Sequence, residues 1–209
     1  MGRGIFMFIG KYNKSLIVTY MGVMFAIIGM YFAFTSNAKF SMICLVLAGV
    51  CDLFDGKIAR MCKRTKDEIS FGIQLDSLAD TIDFVAFPVV FGLSLALNKW
   101  YHILGYILLA MAGVQRLSHF NVLVGKKEGD APVKFYSGLP VTSTSVTFPL
   151  LWLVSNWIGT EPYHVAYIIL VYLTAFLFVL NIKIPKLKGI AYPIVGAIAL
   201  LGMIALFLV

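Results

Sequence analysis

Residues 52–60 read D-L-F-D-G-K-I-A-R and residues 72–80 read G-I-Q-L-D-S-L-A-D, and both runs lie inside otherwise apolar stretches. Ionisable groups at membrane depth are costly and default to a functional reading. Residues three or four apart share a helix face, so Asp52 and Asp55 point together from one span, and Asp76 and Asp80 from the next. On neighbouring antiparallel helices the two pairs meet at one point. Four carboxylates packed closely in a low dielectric repel one another, and the usual escapes are protonation or bound cations. Hard divalent ions such as Mg²⁺ favour an all-oxygen donor set and also bind substrate phosphates, so the pattern points to a site for two metal ions.

The residues between the acids suit a phosphate-bearing substrate. Gly56 and Ala59 remove side-chain bulk beside the acids, and Gly72 opens the facing wall. Arg60 adds a planar, multi-donor cation matched to phosphate oxygens. Lys57, Arg60, Lys63 and Arg64 can also neutralise the acids with no metal present, and small residues can serve helix packing alone. That plainer account gives no reason for acids, glycines, alanine and arginine to occur in this order.

Outside these runs, the 209-residue chain is 60% hydrophobic and 13% charged. This balance fits an all-α, polytopic transmembrane helical bundle, not a soluble domain. Nucleic acid is not the expected partner of the +7 net charge. Apolar windows at 15–34, 40–62, 73–97, 100–123, 140–158, 163–182 and 189–209 are each near the ~20 residues a spanning helix needs, giving seven spans. In the fifth, Thr142, Ser143, Thr144, Ser145 and Thr147 thin out the hydrophobicity. Neither an internal repeat nor a long linker divides the chain, so residues 1–209 read as one domain.

Charge assigns sidedness. With the N-terminus in the cytoplasm, all of the 17 Lys and Arg residues except Lys39 and Lys99 fall on the inside. Seven spans then put the C-terminus outside and open the acid frame to the cytoplasm, in a plasma-membrane protein. Residues 1–14 carry Arg3, Phe6, Phe8, Ile9, Lys11 and Lys14 and read either as an amphipathic helix on the inner leaflet or as a frayed basic leader. No small-residue cleavage site follows the leader, and Phe6 stands where a myristoylation motif needs Ser or Thr. Cys44, Cys51 and Cys62 lack metal-ligand spacing and read as packing residues. His102, His119 and His164 read as interfacial or packing groups.

The pattern D-x-x-D-G-x-x-A-R followed by G-x-x-x-D-x-x-x-D resembles the signature of the CDP-alcohol phosphotransferase family, integral-membrane enzymes of phospholipid biosynthesis built on a six-helix core. All eight signature positions match, at Asp52, Asp55, Gly56, Ala59, Arg60, Gly72, Asp76 and Asp80. The resemblance implies that Asp52, Asp55, Asp76 and Asp80 bind two divalent ions, Mg²⁺ or Mn²⁺. It implies that Asp52, Gly56, Ala59, Arg60 and Gly72 receive the CDP moiety, and that Asp80 is the general base. It also implies a homodimer that uses CDP-diacylglycerol and a small alcohol and releases CMP.

The long spacer 61–71, L-D-S-L-A-D at 75–80, R-L-S-H-F-N at 116–121 and F-Y-S-G-L-P at 135–140 are similar to the prokaryotic phosphatidylserine synthase branch. L-serine is the acceptor this implies. Arg116 or Lys134 suits its carboxylate and Asp83 or Asn121 its ammonium, with Gly138 lining the same pocket or serving only as a turn. The branch usually has serine where this chain has Asp83, and glycine where it has Val85; Ser118 and His119 replace Ala-Arg. Inositol phosphate, glycerol phosphate and choline stay open as acceptors, with Arg64, Lys126 and Lys127 available for an extra phosphate. An ion-coupled transporter is the reading from another class, but repeats and paired helix interruptions are missing from the sequence. A membrane scaffold is the third.

Overall fold

The computed structural model describes residue 10 and residues 15–62, 64–125 and 135–185. The leader apart from residue 10, Lys126, Lys127, Lys134 and the expected seventh span at 189–209 lie outside the described residues, as does the side chain of Arg60. The architecture is an all-α bundle. Its helices are α1 (Ser15–Phe34), α2 (Ala38–Met61), α3 (Lys66–Asp80), α4 (Phe87–Ser94), α5 (Trp100–Gly125), α6 (Thr144–Ile158) and α7 (Thr160–Val179). α3 runs into α4 through a π-helical turn, Thr81–Ala86, so the two form one rod.

Among the described residues, four helical rods are long and apolar enough to cross a bilayer: 16–34, 66–94, 100–125 and 160–179. The other two expected spans are helical as well. α2 has span length at 24 residues but carries the acids and bases of the motif, while α6 has only 15 residues and is entered through a 3₁₀ turn, Val141–Ser143. Outward faces are apolar, with Ile17, Met24, Tyr31, Met111, Ile169 and Phe176 exposed. These side chains require lipid as solvent, and the protein is membrane-embedded.

Packing inside the bundle depends on small residues. Gly22 and Gly29 of α1 face inward: Gly22 lies against Cys51 of α2, and Gly29 against Cys44 and Phe87. Gly49 admits Ser145 of α6, and Gly113 of α5 admits Val85. Close backbone approach is how helices associate where lipid removes the hydrophobic drive between them. The centre holds Phe84, Phe87, Phe91, Phe148 and Phe178 around Tyr167. Tyr167 meets Phe148 edge-on at 5.1 Å, and its hydroxyl donates to the carbonyl of Pro88.

A proline accounts for the π turn. Pro88 has no N–H to give the carbonyl of Phe84 four residues back, and its ring crowds that carbonyl, which widens the turn. The hydroxyl of Thr144 donates to the Phe84 carbonyl instead, at 3.1 Å. A short antiparallel ladder pairs β1 (Phe135–Ser137) with β2 (Lys183–Pro185), an addition the helical periodicity does not announce. All three cysteines are free. His102 is buried at the start of α5, where its Nδ1 accepts from the Lys99 N–H at 3.2 Å.

Candidate metal and substrate site

Asp52 and Asp55 come from α2, and Asp76 and Asp80 from α3, the helix that follows it. Thr65 starts α3 with a reciprocal cap. Its hydroxyl accepts from the Glu68 N–H at 3.3 Å, and the Glu68 carboxylate accepts from the Thr65 N–H at 2.7 Å. This satisfies two otherwise orphaned donors and fixes where α3 starts, and so the phase of Asp76 and Asp80.

One carboxylate oxygen from each of Asp52, Asp76 and Asp80 lies within 4.8 Å of the others. The Asp52 and Asp80 side chains are in hydrogen-bonding contact, and Arg116 of α5 acts electrostatically on Asp80. These three acids are half-buried, so the cluster keeps an opening. Three all-oxygen donors that converge from two helices, with like charges as neighbours, fit a hard divalent cation.

Asp55, the fourth acid, is not among the three whose oxygens lie within 4.8 Å of one another. It is 7% exposed and accepts from the hydroxyl of Thr19 on α1 at 2.9 Å, with the Gly56 N–H as a second donor. The face shared by positions three apart is wide enough for the two acids to split between neighbours. Sequence reasoning missed Thr19: it stands 36 residues from Asp55, and a threonine in an apolar run carries no mark of its partner.

Asp83 lies within the π turn, three residues beyond Asp80. The π turn changes the register after Asp80, and the carboxylate is enclosed against α1, where a Cβ built on Gly22 would stand 2.9 Å from its Oδ2.

The remaining named residues separate by surroundings. Gly56 and Ala59 are half-buried on the last turns of α2. Gly72 is open enough for a Cβ, whose nearest neighbour would be the Arg64 guanidinium at 3.7 Å. Arg116 is buried at 8% exposure, one helix away from the acids. Asn121 is occupied: the Ser77 hydroxyl donates to its Oδ1 at 2.8 Å, and its Nδ2 donates to Gln74 Oε1 at 3.3 Å. It thereby ties α5 to the back of α3. Gly138 adopts φ +77°, donates to the Ile182 carbonyl at 3.0 Å, and has no room for a Cβ beside the carbonyls that end α7.

The family description CDP-alcohol phosphatidyltransferase matches residues 13–208, nearly the whole chain. The chain belongs to the CDP-alcohol phosphatidyltransferase family. Relatives within the family include the archaetidylserine synthase of Methanothermobacter thermautotrophicus, 31% identical over 148 residues, which are 70% of this chain and 58% of that protein. The CDP-diacylglycerol–serine O-phosphatidyltransferase of Saccharomyces cerevisiae is 30% identical over 103 residues, 47% of this chain and 36% of its own length. That of Helicobacter pylori is 29% identical over 176 residues, 76% and 67% of the respective chains. The match thus spans less than two thirds of the first two of these relatives.

Proposed function

We propose that the protein transfers a phosphatidyl group from CDP-diacylglycerol to the hydroxyl of L-serine, giving phosphatidylserine and CMP. The observation that carries this reading is the convergence of Asp52 from α2 with Asp76 and Asp80 from α3, an oxygen of each within 4.8 Å of the others. Serine-specific names among the relatives support the acceptor. Asp52, Asp55, Asp76 and Asp80 would hold two divalent ions, Mg²⁺ or Mn²⁺. Such ions neutralise the diphosphate and favour departure of CMP.

The chain's own residues do the rest. Gly56, Ala59 and Gly72 leave room for the CDP group between α2 and α3, and Arg60 binds its phosphate oxygens. Asp80 takes the proton from the acceptor hydroxyl as the new oxygen–phosphorus bond forms and the bond to the CMP oxygen breaks. Arg116 faces the carboxylate of serine. Asn121, held by Ser77 and Gln74, orients α3 against α5.

The same chemistry on a phosphorylated polyol is the second reading, supported by Arg64 beside Gly72. Purified protein supplied with CDP-diacylglycerol, Mg²⁺ and, in turn, serine, inositol phosphate, glycerol phosphate and choline separates the two. Serine-dependent CMP release is expected; release with a phosphorylated acceptor alone overturns the serine assignment. No release with any alcohol overturns the transferase reading.

A further inference from the structure

Asp83 is the acid that the motif leaves unused. It is 3% exposed, and its Oδ1 has no hydrogen-bond partner among the described residues. Facing it are Gly22 from α1, Cys51 and Asp55 from α2, and Asp76 from α3. None of these is a cation, and the charges that act on it, Asp55 and Asp76, are of its own sign. An unpaired carboxylate in a low-dielectric interior is unfavourable, and it is relieved by a proton or by a positive donor. Asp83 stands outside the three-acid cluster, so that cluster does not supply one.

Position along the rod indicates what does. Asp83 lies three residues beyond Asp80, a rise along the rod of at most ~4.5 Å. An acceptor whose hydroxyl is held at Asp80 extends its neighbouring carbon toward that depth. A primary ammonium on this carbon has three donors, enough to engage Oδ1 of Asp83 while the hydroxyl stays at the base.

We propose that Asp83 receives the ammonium group of the acceptor and restricts acceptors to alcohols with a primary amine on the carbon next to the carbinol carbon. Gly22 is part of this subsite, because a methyl group there would press on the carboxylate. The inference rests on the transferase reading and narrows it: a charged anchor at this depth rejects acceptors that lack the amine, since they leave it buried and unpaired.

The test compares serine with 3-hydroxypropionate, which keeps the hydroxyl and carboxylate and lacks the amine. KM for serine and Ki for 3-hydroxypropionate as a competitor of serine are measured in wild type, Asp83→Asn and Asp83→Ala. KM for CDP-diacylglycerol and its protection against thermal unfolding are followed in parallel. Wild type is expected to prefer serine, and both variants to lose that preference through a serine KM raised about ten-fold or more, with the other values unchanged. Equal affinity of wild type for the two compounds overturns the inference, as does a preference that survives in the variants. Loss of CDP-diacylglycerol protection in both variants marks Asp83 as structural and overturns it too. Wild-type turnover with amine-free alcohols alone overturns this inference and leaves the transferase reading standing; no wild-type turnover with any alcohol is failure of that reading itself.

Discussion

Asp80 and Asp55 carry the same functional group and differ in what surrounds them. Asp80 stands at the opening, in contact with Asp52 and under the influence of Arg116, whereas Asp55 is enclosed and held by Thr19. A general base contributes on the order of 10²–10⁴-fold to rate, so Asp80→Asn is expected to lower serine-dependent CMP release by about 10³-fold. A rate within ten-fold of wild type would remove Asp80 from the proton transfer. The Thr19 hydroxyl donates to Asp55, and its loss acts on the metal set through that acid's orientation. Outer partners of metal ligands typically contribute 10–100-fold to affinity, so Thr19→Val should raise the Mn²⁺ concentration for half-maximal activity by about ten-fold. Saturating Mn²⁺ should restore the rate; an unchanged Mn²⁺ titration would make the Thr19 contact irrelevant to binding.

Helices were the legible part of this chain, and their phases were legible only where the helix is regular. The apolar windows at 15–34 and 100–123 become α1 and α5 with little change, because length and hydropathy decide whether a segment spans. Helical spacing likewise placed Asp76 and Asp80 on one face. It does not show the π turn that follows Asp80, because that turn is made by Pro88 together with a hydroxyl from Thr144, a partner 60 residues from the carbonyl it reaches. Sequence periodicity contains the proline but not the distant donor. The wider turn must be held from outside, and Val85 seated on Gly113 of α5 supplies that contact: a Cβ at 113 would come 2.8 Å from Val85 Cγ1. Gly113→Ala is therefore expected to overpack the joint and destabilise the protein by about 1–3 kcal/mol in detergent unfolding. Adding Val85→Ala should recover part of this loss, and a double variant no more stable than the additive sum would show that the two positions do not interact.

The two loops best suited to report the sidedness of the site lie at opposite ends of the same rod. Asp67 opens α3 beside the basic run 57–66, and Asn98 follows α4 next to Lys99, one of the two bases the charge rule places outside. Both side chains are exposed. The rod between them, 66–94, has 29 residues, enough to cross a ~30 Å hydrocarbon core, so one end labelled from outside requires the other to be inside. Cys44 and Cys51 are buried and do not compete for reagent; Cys62 is replaced by Ser to remove the half-buried thiol. In intact cells a membrane-impermeant maleimide should modify Asn98→Cys and spare Asp67→Cys until the membrane is opened. Labelling in the reverse order would turn the acid cluster to the outer face, away from cytoplasmic CDP-linked lipid and free CMP. It would also require the excess of Lys and Arg to lie outside, against the electrostatics of insertion. The orientation of the whole bundle and the chemistry of its four acids therefore meet in one measurement on one rod.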